Sequence, residues 1–346
     1  MSRNMRRRTT PVASSSSGGS GGGVLAPAEP GRTTSEIAQI ESFPRFDVVS
    51  DDSDHFYRNP RQTIPASTQK NIMHEWKLLE QHLPESITVR AYEKRIDLLR
   101  AAIVGAATTP YHDGLYFFDI SFQPNYPAQP PQVHYRSFGY RINPNLYASG
   151  AVCLSLLNTW GGMRKSERWN PKESTILQLL LSIQALVLNE KPYYNEPGSG
   201  IFKILGPYGE KSSFAYNEAT FVLSCKSMLR LLSRPPRGFE VLVVGHFRDR
   251  ARTILQACKA YADGRVWVGY FLEGNPPQQG PSSRVAVSQK FKESMKSLYP
   301  QLFEAFSKEG ASLAGLHKEL SGDLPLAPGK KGLWPISLKW LRTCWN

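Results

Sequence analysis

Cysteine is scarce in this sequence: Cys153, Cys225, Cys258 and Cys344 are scattered over 346 residues, with no CxxC pair and no His/Cys cluster at ligand spacing. That scarcity argues against a disulfide framework and against a structural zinc site, and it fits a reducing compartment. Long apolar runs are missing too. The longest, "TILQLLLSIQALVL", is broken by Gln178, Ser182 and Gln184; a membrane span needs about 20 residues, so this stretch reads as a core helix and no membrane partner is expected. No apolar run follows "MSRNMRRRTT", so no secretory leader is expected, and the triple arginine reads as a solvated tail before it reads as a nuclear signal. None of the seven histidines falls between positions 140 and 170.

The chain is 40% apolar and 21% charged, a balance that predicts one soluble globular domain with substantial extensions. Its net charge of +13 is concentrated after residue 200, whereas positions 1–60 are balanced. No zinc finger, RRM-type aromatic motif or compact Lys/Arg run accompanies that surplus, so solvated helix faces are the default reading and nucleic acid is not the expected partner.

Residues 1–60 combine "SSSSGGSGGG", "APAEPG" and "SDDSDHF", a composition expected to form a disordered arm because it buries too little apolar surface to offset ordering entropy. From Thr68, the apolar positions Ile72, Trp76, Leu79 and Leu83 recur at helical spacing until Pro84. Four β-type runs follow, "ITVRAYE", "DLLRAAIVGA", "LYFFDISF" and "QVHYRS", separated by the turn signals "TTPYHDG" and "QPNYPAQPP". Links this short predict an antiparallel meander, since a parallel crossover needs a dozen or more residues. Further helices are expected over 174–188, 214–232, 239–258 and 289–307, the last broken or kinked at Pro300. The fold class is therefore α+β, with a core over 61–233, a mostly helical C-terminal extension over 234–320 and an irregular tail over 321–346.

This order of elements, with its motifs, resembles the ubiquitin-conjugating enzyme family over roughly residues 68–232. "TTPYHDGLYFF" resembles the family's turn into its third strand, and "FQPNYPAQPPQV" its Tyr-Pro-x-x-Pro-Pro stretch. "NPN" with Cys153 eight residues after Asn145 is similar to the His-Pro-Asn and active-site cysteine arrangement, and "WNPKESTILQLLLSIQALV" resembles the tryptophan-led helix that follows. Three departures stand out. Asn143 replaces the histidine, "LLNTWGGMRKSER" lengthens the stretch from Cys153 to Trp169, and the loop at Tyr193 to Glu196 lacks the usual aspartate. The insertion and the basic extension look like the branch of large family members.

The resemblance implies that Cys153 accepts ubiquitin from an activating enzyme as a thioester and yields it to a substrate lysine. No metal or organic cofactor is implied, because ATP is used by the upstream activating enzyme. A thiol is both a good nucleophile and a good acyl leaving group. The alternative for Cys153 is a small buried hydrophobe. Asn145 is the second candidate, either donating to the oxyanion formed during lysine attack or holding the loop through side-chain to backbone bonds. Tyr194, Asn195 and Glu196 are candidates for assisting the lysine. Trp169, Phe122, Tyr126, Pro127 and Pro131 read as structural, and Arg164, Lys165 and Arg168 as solvated loop residues.

Partners implied are ubiquitin, its activating enzyme and lysine-bearing protein substrates, with a ubiquitin ligase left open; a cytoplasmic or nuclear location is expected. Large members of the branch resemble combined conjugating and ligating enzymes, so substrate contact by 230–346 is an open expectation. The competing readings are a catalytically silent ubiquitin-binding scaffold, whose family members lack the cysteine; a cysteine phosphatase, disfavoured because Thr159 stands where Cys-x5-Arg needs arginine; and a cysteine protease, for which no surrounding signature exists.

Overall fold

The computed structural model describes residues 43–159, 167–195, 207–272 and 285–316. The expected arm over 1–42, the tail over 321–346, and Arg164 and Lys165 lie outside them.

Helix α1 (Ala66–His82) starts after Pro65 and ends at Leu83; Pro84, next in the chain, cannot continue it. Thr68, Ile72, Glu75 and Leu79, spaced for one helical face, are buried. The meander is then β2 (Ile87–Tyr92), β3 (Arg95–Val104), β4 (Leu115–Ser121) and β5 (Gln132–Tyr135), paired antiparallel in chain order.

A fifth strand corrects the sequence reading. Residues 43–60 are not a disordered arm: β1 (Phe46–Val49) adds parallel to β2, with Phe46 opposite Val89 and Val49 opposite Tyr92. What holds this segment is charge and hydrogen bonding more than apolar burial. The fully buried Arg100 forks onto Asp119 through Nε (2.5 Å) and Nη2 (3.0 Å), and its Nη1 reaches Asp54 Oδ1 at 2.6 Å. Arg136 takes the other Asp54 oxygen at 3.0 Å. The Phe56 N–H donates to Asp119 Oδ2, and His55 Nε2 bonds the Leu99 carbonyl. Arg95, bidentate to Asp97, also donates to the carbonyls of Tyr57 and Arg58. The Arg90 guanidinium lies 4.1 Å from the Phe43 ring centroid and 5.4 Å from that of Phe239. A composition count misses such a segment because its order comes from arginines elsewhere in the chain.

The sheet is buried on both faces. One face packs Val89, Ala101, Phe118 and Tyr135 against α1 and α2 (Ile176–Ser182). α2 begins at Thr175, whose side chain accepts from the Gln178 N–H, and passes into a π-helical turn over Ile183–Val187 in place of the uniform helix expected over 174–188. Glu75 of α1 also supports its start, accepting from the Ile176 N–H (2.9 Å) and the Tyr126 hydroxyl (2.6 Å).

On the second face, Ala102, Leu115 and Phe117 join a core shared by α3 (Pro207–Ser233), α4 (Glu240–Ala262) and α5 (Gln289–Lys308). Phe117 meets Phe239 edge-on at 5.1 Å. α5 runs through Pro300 without a break, which corrects the first of the two outcomes expected there, a break or a kink. The β3–β4 turn is pinned to α4: Arg250 Nε donates to Asp113 Oδ1 at 2.7 Å, His246 Nε2 to the Asp113 carbonyl, and the Tyr261 hydroxyl meets His112 Nε2 at 2.9 Å. No described helix is long and apolar enough to cross a membrane.

Two outcomes follow. Arg100→Met leaves the buried Asp119 carboxylate without its bidentate cation, while Asp54 keeps Arg136; breaking a buried ion pair from one side costs about 3–5 kcal/mol, read as a lowered midpoint in denaturant unfolding, and adding Asp119→Leu restores part of it. Acid should destabilise the fold in two stages. Burial holds the imidazoles of His55, His134 and His246 below the ordinary 6.5, so the unfolded chain takes up those protons first and stability falls as pH drops through 6.5. Burial alone would raise the carboxyls of Asp113 and Asp119, but hydrogen bonds and charge from His112 and Arg250, and from Arg100, hold both below 3.8; their contribution is lost as pH falls below that value. Glu75, pushed above 4.5 chiefly by burial, opposes the trend in between. Denaturant midpoints measured from pH 8 to pH 3 check the sign.

Candidate active site

The chain leaves β5, turns through Asn143-Pro144-Asn145, and folds back on itself as a narrow hairpin. Leu146 bridges Val152, Tyr147 bonds Ala151, and Gly150 makes the bend with φ +89°. A Cβ at Gly150 would stand 2.0 Å from the His134 ring, so glycine is required both by conformation and by space. Across this hairpin Asn145 and Cys153, eight apart in sequence, become neighbours. The Cys153 N–H donates to the Asn145 carbonyl and Asn145 Nδ2 donates back to the Cys153 carbonyl, each at 2.9 Å.

Val152 and Leu154, either side of the cysteine, are buried at 4% and 6% exposure, while Cys153 itself is half-exposed. Extended backbone alternates side chains, so burying both neighbours turns the thiol outward. Cys225 and Cys258, by contrast, are fully buried core residues. Downstream, the Thr159 hydroxyl donates to the Val152 carbonyl at 2.8 Å and accepts from the Leu154 N–H at 3.0 Å, and a 3-10 turn over Ser155–Leu157 sinks Leu156 and Leu157 into the core. The backbone on both sides of the thiol is therefore fixed.

Asn143, which replaces the family's histidine, is completely buried. Its Nδ2 donates to the Tyr111 hydroxyl and to the Val187 carbonyl, both at 2.7 Å; its Oδ1 accepts from the Asn145 N–H at 2.8 Å and from Asn195 Nδ2 at 3.4 Å. Two donors and two lone pairs are thus all engaged, the full capacity of a carboxamide. Val187 ends the π-helical turn, where helix carbonyls lack intrahelical partners; Asn143 and Asn195 satisfy this one together. Burial drives the Tyr111 hydroxyl well above its ordinary range, so it stays protonated and passes its own hydrogen to the Ile142 carbonyl.

Of the loop candidates, Asn195 joins this network, bonding Val187 at 3.0 Å and accepting from Asn189 at 2.7 Å. Tyr194 lies 5.3 Å, centroid to centroid, from Tyr193, which in turn packs against Tyr216 of α3. Glu196 lies outside the described residues. Trp169 is 8% exposed and donates its indole N–H to the Pro127 carbonyl at 2.7 Å, its ring 5.7 Å from that of Tyr126. Phe122 and Tyr126 are core, and Arg168 is exposed. Sequence reasoning missed Tyr111 and Asn189 as members of the site; "TTPYHDG" signalled a turn but not what its tyrosine would touch. No group of three or more His, Cys, Asp or Glu side chains among the described residues could hold a metal ion.

A family profile described as "Ubiquitin-conjugating enzyme" matches residues 71–200, the stretch from α1 through the cysteine hairpin to the Asn195 loop. "Probable ubiquitin-conjugating enzyme E2 24" of Arabidopsis thaliana is 52% identical over 276 residues, covering 78% of this chain and 29% of that protein. "Putative ubiquitin-conjugating enzyme E2 38" of the same organism is 48% identical over 275 residues, covering 78% of this chain and 83% of its own length. A human protein, "Dual E2 ubiquitin-conjugating enzyme/E3 ubiquitin-protein ligase BIRC6", is 35% identical over 63% of this chain and 5% of its own. The chain spans under half the length of E2 24 and of a further plant relative, E2 25. A half-exposed cysteine locked to an Asn-Pro-Asn turn, together with 48% identity across most of a named relative, places this chain in the ubiquitin-conjugating enzyme family.

Proposed function

We propose that this protein accepts ubiquitin on Cys153 as a thioester and transfers it to lysine amines of protein substrates. The observation that carries the reading is the outward thiol of Cys153 held by reciprocal hydrogen bonds to Asn145. In the first step the Cys153 thiolate attacks the thioester carbonyl that links ubiquitin to its activating enzyme. The C–S bond to that enzyme breaks, its sulfur departs as thiolate, and a C–S bond to Cys153 forms. In the second, a neutral lysine amine attacks, an amide forms, the Cys153 thiolate leaves, and the proton lost by the amine passes to that thiolate or to water. ATP is consumed upstream, where the first thioester is made, and no cofactor is needed here.

Asn145 both holds the hairpin and serves the second step. One N–H of its carboxamide holds the Cys153 carbonyl, and the second is available to the oxyanion that forms when lysine attacks. Asn143 is a positioning residue: a buried carboxamide with no free valence neither gives nor takes a proton and instead orients Asn145. Asn195 supports the same frame. The human relative's name joins conjugation to ligation; on that likeness, the C-terminal helices of this chain contact substrate directly. The cytoplasm and nucleus, where activating enzyme and substrates meet, are the proposed location.

Three variants test these roles. After mixing with activating enzyme, ubiquitin and ATP, wild type should show a thiol-sensitive, ubiquitin-sized shift on non-reducing gels that Cys153→Ala abolishes; an undiminished shift in the variant sinks the proposal. Asn145→Ala should still load but discharge to free lysine about 10²- to 10³-fold more slowly in single-turnover chase. Tyr111→Phe removes an acceptor from a buried N–H of Asn143, costing about 1–3 kcal/mol of stability, measured by denaturant unfolding, and slowing discharge less than the loss of Asn145 does.

A further inference from the structure

Between α3 and α5 the C-terminal helices leave a cleft of about 530 Å³ that the thiol site does not use. It is within the size range of ligand-binding clefts, and its chemistry is one-sided. α3 lends Lys226 and Arg230, one helical turn apart; α5 lends Ser294, Ser297 and Gln301; Tyr140 contributes to the wall. No carboxylate lines it. Ser294 and Gln301 bond back to carbonyls of α5, at 2.9 and 2.8 Å, so that wall is polar and neutral rather than a counter-charge.

Several buried or half-buried arginines elsewhere have defined anionic or aromatic neighbours. Arg95 and Arg100 are paired with carboxylates, Arg136 and Arg250 likewise, and Arg90 lies over aromatic rings. Among the described residues, Lys226 and Arg230 form no ion pair, although Lys226 is half-buried. Arg230 is exposed and Lys226 half-buried, so two cations with no carboxylate facing them give the cleft a positive field that an anionic ligand complements. The basic surplus of the chain lies in this same C-terminal half.

We infer that this cleft binds an acidic segment of the protein substrate, a run of Asp or Glu side chains laid between α3 and α5. The inference rests on the proposed function, since it takes the ligand to be part of a polypeptide undergoing modification. Location supports it: Tyr140 stands three residues before Asn143, so one wall of the cleft leads directly into the turn that carries Asn145. A nucleic acid fits less well, because single strands are held by stacking on successive aromatic rings and the cleft offers one, Tyr140.

The test uses the full chain and a fluorescein-labelled peptide of alternating glutamate and serine, read by anisotropy beside the same peptide with glutamine for glutamate. The glutamate peptide should bind, the glutamine peptide should not, and added salt should weaken binding. Lys226→Glu combined with Arg230→Glu should reduce affinity about tenfold or more, as should Ser297→Glu on the facing wall. These side chains lie outside the cores, and a thermal melt of each variant confirms the fold. Equal binding of the two peptides, or an affinity that survives both variants, overturns the inference. So does a single-stranded oligonucleotide whose binding the variants abolish while the glutamate peptide fails to bind. Ubiquitin loading of Cys153, measured on the same proteins, should be unchanged by the variants. Loading without charge-dependent peptide binding removes this inference alone, whereas peptide binding without loading in wild type removes the proposed function and leaves an acidic-peptide cleft.

Discussion

One buried carboxamide organises the thiol site. Asn143 joins four separate stretches of chain: the cysteine hairpin through the Asn145 N–H, the β3–β4 turn through Tyr111, the π-helical turn through Val187, and the following loop through Asn195. Because each bond uses a different donor or acceptor, none can be exchanged for another without stranding a buried polar group, at a cost of about 1–3 kcal/mol. The position of Cys153 therefore depends on a residue that never touches its sulfur. Asparagine suits the task where histidine would titrate, since its hydrogen-bonding pattern is the same at every physiological pH.

The same frame extends outward. Tyr111 precedes His112 and Asp113, and those two are held by Tyr261, Arg250 and His246 of α4. The turn that anchors Asn143 is thus anchored in turn by the C-terminal helices. Residues beyond the matched 71–200 are part of the fold's support, not an appendage, and the plant relatives E2 24 and E2 38 align over more than twice the length of that matched stretch.

The sequence carried the elements whose signal is local. The 3.6-residue spacing of Ile72, Leu79 and their neighbours, the short links between strands, and the Asn145 to Cys153 interval were all legible, and each corresponds to an observed feature. What escaped was order imposed from a distance. Nothing local in "ESFPRFDVVSDDSDHFYRNP" announces a strand, because Arg90, Arg95 and Arg100, dozens of residues later, supply its partners. Pro300 suggested a break or a kink, and the helix does not break there because local rules give the cost of proline but not the compensation from Tyr299 and Leu302, buried against the other helices. Tyr111 read as part of a turn because a hydroxyl's partner is set by topology.

The second face of the sheet has a further meaning. Phe117, Leu115 and Arg100 are covered by the chain's own α4 and by residues 43–60, which are tethered in place and so act at an effective concentration in the millimolar range or above. Any outside protein seeking that surface has to compete with an occupant already present at such a level. The sheet is in this sense pre-liganded: that face is open to another protein only to the extent that the tethered segments loosen.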